Sequence, residues 1–486
     1  MKRRNLSYVL LALLTIAALV LAACGQTAPA PQNPTEAPAP AEPAAEEPAE
    51  GDTEEAEPAE GEPAEGDTEE AEPAATGDEP SGRLLIWVQE ANQDVFEQTA
   101  LDEFQAEYPD VEIEWVNYPP ADVANQLAVA IQGGTGAPDL AVTENRSIPR
   151  LVELGGLLDL TDRLEPYVGE LNQAALDAGE KDGKYYSFPW DIGPVVTFYR
   201  RDILEAAGLP TDPEEVNELF ATWDSFHDAC VTIKEETGAL CFAQNRANNY
   251  GDFYFNMLWQ QGLDFVSEEG QIVIDSPEHV ATLEKLGTFW EDDLVSDQLE
   301  WTDGWYAELN APLDGDVTPV ATVTIGAWMG NFLKTWIAAD QAGNWGVVQM
   351  PAFEEGGTRS ANQGGSAFII PELSNNKEAA WAFAEFMVGR EENHLQIFEY
   401  SDYFPAWEAL YGAPLFDEPD EYFGGQTSRQ VFVQAAEEIP VVGIYGPHNQ
   451  AISAALQTAI QQYATGQNEA EPALQEAAET ARVETG

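Results

Sequence analysis

Past residue 82 the chain alternates between short apolar runs and amphipathic stretches. Leu84-Leu85-Ile86-Trp87-Val88 is continuously apolar, with the length and composition of a buried strand. Phe96, Ala100 and Phe104 follow at intervals of four, the spacing of one face of a helix. Tyr108-Pro109-Asp110 breaks that pattern. Val111-Glu112-Ile113-Glu114-Trp115-Val116 then alternates apolar with polar, as a half-buried strand does. A helix is predicted around 122–132, ended by Gly133-Gly134, and a strand over Pro138-Asp139-Leu140-Ala141-Val142. Strand and helix at this short spacing predict an α/β body with a largely parallel sheet. Toward the C-terminus the pattern turns helical, with proline-free amphipathic stretches over 377–400 and 449–466.

The first 82 residues read differently. Met-Lys-Arg-Arg precedes an apolar run from Tyr8 to Ala23, the layout of an export signal. The run is short for a membrane span of roughly 20 residues. It ends at Leu21-Ala22-Ala23-Cys24, similar to the bacterial lipobox, in which the cysteine is lipidated and becomes the first mature residue. Acyl chains there would anchor a protein held outside the cytoplasm. Residues 25–82 are expected to be a disordered, acidic, proline-rich tether. From Ala28 to Gly82 there is no Lys, Arg or aromatic residue, and one twelve-residue sequence stands at 48–59 and again at 63–74. A segment with nothing to bury cannot offset the entropy of ordering.

Charge narrows the function. The 486 residues hold 87 Asp and Glu against 20 Lys and Arg, a formal −67. With 18 acids in 28–82 and three bases in the leader set aside, residues 83–486 keep 69 acids and 17 bases, a formal −52. Such a surface excludes nucleic acid as a partner and argues against anionic substrates. With so many carboxylates, a neighbouring pair of acids has little weight as a sign of glycosidase chemistry. The four histidines, His227, His279, His394 and His448, are scattered, and no HExxH, nucleophile elbow or phosphate loop occurs. No metal or other cofactor is expected. After processing at Cys24, Cys230 and Cys241 remain; in an oxidising compartment they could close a short loop, and both the bridged and the free reading stand.

The order of motifs resembles the extracellular solute-binding proteins of family 1, the maltose-binding-protein-like carbohydrate-binding lipoproteins of ABC importers. The resemblance runs through Phe104–Val111, Ile131-Gln132-Gly133-Gly134 with Pro138-Asp139-Leu140, and Gly155–Asp162. It continues in Asp182–Pro189, Phe198–Asp202 with Ala206–Pro210, and Thr222–Phe226. Gly326-Ala327-Trp328 and Asn375–Trp381 complete it. Arg200, Pro194 and Thr322-Val323-Thr324 depart from the family pattern and bear on the geometry of the crossing.

This resemblance implies a two-lobed periplasmic-binding-protein-like fold (type II) with the ligand enclosed between lobes. The first lobe would take 83–193 and a return segment 358–402, and the second 194–357 and the helical part 403–486. The protein would be a non-catalytic monomer that hands a sugar or oligosaccharide to the transmembrane subunits of an ABC permease. Two other readings are a carrier of a cationic solute such as a polyamine and, less favoured, a secreted glycoside-active enzyme. Sugars present flat C–H faces and hydroxyls, so their cleft needs aromatic platforms beside groups that both donate and accept. Candidates at strand ends are Gln89, Asn92, Glu144, Asn145, Arg146, Trp190, Asp191, Trp328, Gly364, Gly365, Tyr445 and His448. Trp190 and Trp328 are the expected platforms, and Trp115 and Trp381 are expected in the core.

Overall fold

The computed structural model describes residues 80–119, 122–243, 252–267, 269–442 and 448–485. Cys24, the tether as far as residue 79, and Tyr445 lie outside the described residues. Among the described residues the strands are β1 (Gly82–Val88), β2 (Val111–Asn117), β3 (Leu140–Glu144), β4 (Glu180–Lys181), β5 (Lys184–Tyr185) and β6 (Phe188–Ile192). They continue with β7 (Val195–Arg200), β8 (Leu240–Phe242), β9 (Val320–Gly326), β10 (Trp345–Gln349), β11 (Ser366–Ile369) and β12 (Phe404–Pro405).

The apolar run of β1 pairs in parallel with β2 on one side and β3 on the other, Ile86 lying opposite Trp115 and Leu140. Gly82, the last residue expected of the tether, already pairs with Val111. The first lobe's sheet has the order β12-β6-β11-β3-β1-β2. β11 inserts between β3 and β6 and is antiparallel to both, as β12 is to β6. The sheet is therefore mixed rather than largely parallel: β11 returns from the second lobe, and β12 comes back to the edge after the helices Lys377–Val388 and Glu391–Ser401. Phe404–Pro405 also extends the first lobe past the expected end of its return segment at 402. The second lobe is built on β10-β7-β9-β8, with β7 antiparallel to both neighbours and β8 parallel to β9.

Phe96, Ala100 and Phe104 are all completely buried, but Phe96 and Phe104 belong to two helices, Glu90–Gln98 and Leu101–Glu107, and Ala100 to the turn between them. The break falls at Thr99, whose hydroxyl donates to the carbonyl of Val95 and bends the chain there. The expected helix over 377–400 is likewise two, Lys377–Val388 and Glu391–Ser401. Gly389 ends the first where a Cβ would meet the Glu385 carbonyl at 2.7 Å and the Tyr167 hydroxyl at 2.8 Å. Helices Asn449–Ala464 and Ala470–Thr485 pack together and against Pro277–Glu291 of the second lobe. Cys230 and Cys241 are bridged and completely buried, tying helix Trp223–Thr237 to β8. Trp115 is half-buried; it stacks on Phe96 and meets Phe383 edge-on. Trp381 is also half-buried and stacks on Phe188.

Candidate functional site

Two crossing segments run against each other where β6 passes into β7 and where the chain returns from β10 to β11. The Gly193 amide donates to Asn362 Oδ1 at 2.8 Å, and the Gln363 amide donates to the Gly193 carbonyl at 2.7 Å. No side chain fits between them: a Cβ on Gly193 would lie 1.8 Å from the Gln363 oxygen. Pro194 is accommodated as a bridge partner of Asn362, and its carbonyl accepts from Ala327. Arg200 is a structural group, buried under the second lobe. It makes a paired contact with Asp202 at 2.7 and 2.8 Å and donates to the carbonyls of Leu309 and Ala311.

The first lobe presents a polar wall at this crossing. The Asn145 amide donates to the Gly365 carbonyl, and its side-chain Nδ2 donates to the Asp191 carbonyl at 3.3 Å. Gly365 has φ 88°, and a Cβ there would come within 2.6 Å of both Asn145 Nδ2 and the Asp191 oxygen. Only glycine combines that backbone with that closeness. Two buried polar atoms meet here, Asn145 Oδ1 and Asp191 Oδ1, without a hydrogen-bond partner among the described residues; Asn92 Nδ2 and Thr143 Oγ1, elsewhere in the same lobe, are likewise unpartnered. Such groups are costly unless a hydrogen-bonding partner meets them. Burial pushes the Asp191 carboxyl up to about 8, so at neutral pH it is a protonated donor rather than an anion.

Aromatic and amide groups face this wall from the second lobe. Trp328 is half-buried, with its indole N–H donating to the Gln363 carbonyl at 2.9 Å, which roots the ring at the crossing. Trp301 lies 5.6 Å from it, in a left-handed backbone conformation of φ 65° that is rare outside glycine. Asn256 is completely buried; its Nδ2 donates to Gln363 Oε1 at 2.7 Å, and its Oδ1 has no partner among the described residues.

Trp190 is not a platform. Its ring has no exposed surface and packs among Phe96, Phe368 and Tyr403 in the first lobe's core. A ring with both faces covered cannot stack on a solute. Gln89 caps helix Glu90–Gln98 directly after β1, and Gly364 lies in the crossing segment with φ 102°, close to the Trp328 indole. Glu144 and Arg146 pair with each other at 2.9 Å. His448 is exposed at the start of helix Asn449–Ala464, two residues before Gln450, which accepts from Arg150 of the first lobe at 2.8 Å. Asn256 and Trp301 are the groups that the sequence leaves unmarked. Asn256 sits inside a helix, and only an unusual backbone brings Trp301 to this place.

A separate cavity of 1090 Å³ lies on the second lobe between β10 and helix Ser428–Glu437, lined by Asn217, Gln349, Gln426, Gln430 and Gln434 among others. The backbone N–H and C=O of Val347 on its strand edge are both taken by Gln426. None of the unpartnered buried atoms lines it. Among the described residues no group of His, Cys, Asp and Glu could hold a metal ion.

Two α/β lobes, threaded by crossing segments and offering polar and aromatic walls to the space between, define a two-lobed solute-binding protein. The chain belongs to the bacterial extracellular solute-binding proteins, whose family profile matches residues 99–422. It is 29% identical over 384 residues to the arabinooligosaccharide-binding protein of Halalkalibacterium halodurans, covering 76% of this chain and 82% of that one. It is 27% identical over 374 residues to the lactose-binding protein of Rhizobium radiobacter, covering 75% and 84%. The fold is shared with the GacH receptor of Streptomyces glaucescens, with a TM-score of 0.69, 21% identity and coverage of 83% and 98%. It is shared too with the binding protein of B. animalis subsp. lactis in complex with beta-1,6-galactobiose, with a TM-score of 0.68, 22% identity and coverage of 83% and 96%. As in the rest of its family, the place of action is extracytoplasmic.

Proposed function

We propose that this protein captures a sugar or oligosaccharide between its lobes and delivers it to an ABC permease, without chemistry on the solute. One observation carries the reading: at the crossing, the buried side chains of Asn145 and Asp191 in one lobe and of Asn256 in the other each keep an unpartnered oxygen, the first two joined through the Asn145 bond to the Asp191 carbonyl and the third held to Gln363. Trp328 and Trp301 supply aromatic faces from the other lobe. Sugar hydroxyls satisfy the first set and sugar C–H faces the second. The ligand favours the closed arrangement by the contacts it makes only there, and that difference is what a permease can read. Cys24 would carry the lipid anchor, and residues 25–82 would hold the body off the membrane.

A cationic solute is less well served. The whole chain is acidic, but Glu144, the carboxylate at the end of β3, is already paired with Arg146. The named relatives are binding proteins rather than enzymes, which supports the non-catalytic reading. A panel of arabinose-, galactose- and glucose-based sugars and of polyamines, scored by thermal shift and then by calorimetry, tests this. Binding of a polyamine but no sugar would overturn it.

A further inference from the structure

We propose that the solute is an oligosaccharide long enough to leave the cleft, with its outer units lying along a row of aromatic rings on the second lobe. This rests on the sugar-binding reading and names the class of sugar. Trp328, Phe332 and Trp336 stand four residues apart, and their successive ring centroids are 5.7 and 5.9 Å apart. The row begins at the crossing, where Trp328 is bonded to Gln363, and ends at Trp336, which is 51% exposed. Trp336 is carried on a π-helical turn, Leu333–Ile337, an uncommon element that collects at functional sites.

Two more rings flank the row. Trp301 is 5.6 Å from Trp328 and 6.1 Å from Phe332, and Tyr306 is 4.7 Å from Trp336. Trp301 accepts backbone strain yet stays 38% exposed, so burial of its ring is not what the strain secures. Single exposed aromatics are ordinary, but a continuous row marks a surface that something covers.

The occupant is identified by what lies beside the row. Asn331, on the same helical segment, donates to the Tyr400 carbonyl of the first lobe at 2.7 Å, and the Tyr400 hydroxyl donates to Asp94 at 3.0 Å. The segment that carries the rings thus also carries, at the residue before Phe332, the start of a line of amide, hydroxyl and carboxylate groups to the first lobe, and a sugar chain has faces for the one and edges for the other. The row is continuous with the cleft, and relatives include arabinooligosaccharide- and galactooligosaccharide-binding proteins. A second copy of this chain would bring a body of formal charge −52 against an identical one.

Calorimetric titration of the full chain with arabino- and galacto-oligosaccharides from one to six units decides it. Affinity should keep rising beyond the disaccharide. Trp336→Ala should lose about tenfold on the longer members, the scale of one stacking contact, and little on the disaccharide. Trp336→Phe should restore most of that loss. Disaccharide binding that no longer sugar improves, with Trp336→Ala neutral throughout, would remove the row and leave the cleft reading in place. Failure of every sugar to bind would remove both. A dimer that Trp336→Ala converts to monomer would give the row to a second copy and overturn the proposal.

Discussion

The ammonium of Lys334, on the second lobe, reaches the carboxylate of Asp402, at the end of a first-lobe helix, at 2.6 Å. Asp420 contacts the same nitrogen at 2.6 Å. Burial would lower the lysine pKa, but the two carboxylates outweigh it and raise it. Removing one partner of a buried ion group leaves the others uncompensated. Lys334→Ala should therefore cost about 3–5 kcal/mol in denaturant unfolding. Adding Asp402→Asn should recover part of that, and equal stability of the single variant and wild type would contradict the account.

Asp191 should make stability depend on pH in an uncommon direction. Its folded value of about 8 lies above the ordinary 3.8, so between those values the unfolded chain has lost the proton and the folded chain keeps it. Stability then falls as pH rises through that window, by up to about 1.4 kcal/mol per unit from this group, and levels off above it. Asp191→Asn should flatten that part of the pH profile of unfolding. An unchanged slope would mean that the carboxyl is not held protonated.

The two tryptophans once expected to share a role should separate. Trp190→Ala should lower stability by about 3–5 kcal/mol, because it empties a packed core site. Trp328→Ala should keep the melting temperature near that of wild type and weaken sugar binding roughly ten- to a hundredfold. Thermal melting beside calorimetry for both variants would reveal a reversed pattern if the burial argument is wrong.

Replacing Cys230 and Cys241 by serine should cost about 2–4 kcal/mol, since the bridge restricts the unfolded chain over a short loop. Guanidinium titration of the oxidised protein and the double variant measures the difference. Coincident curves would show that the bridge contributes nothing.

For the anchor, Cys24→Ala should move the protein from the membrane fraction to the soluble extracytoplasmic fraction. The prediction fails if the variant stays with the membrane after a salt wash.

Local pattern carried much of the α/β architecture, since apolar runs, breaks and four-residue spacing are written residue by residue. What it could not carry was β11 lying between β3 and β6, because long-range antiparallel pairing leaves no local mark. Asn145 and Asp191 could be singled out because they stand at the C-terminal ends of β3 and β6, where ligand groups emerge, and Gly365 because it belongs to the glycine pair just before β11. Trp190 was misjudged although its signal was present. Phe188, Trp190 and Ile192 alternate along β6 and all three enter the same core cluster, the period of one buried face. The four-residue spacing of Trp328, Phe332 and Trp336 was equally visible. Asn256 and Trp301 had no such mark, for tertiary packing and an unusual φ place them.

The late arrival of β11 also governs how this chain can come into being. Emerging from a translocon N-terminus first, β3 and β6 would wait with unpaired edges until a strand separated from them by the length of a small domain has crossed the membrane. During that interval the first lobe is a half-built sheet open to any passing strand. The chain's large excess of like charge would then act as its own chaperone, keeping unfinished copies apart until the missing strand arrives.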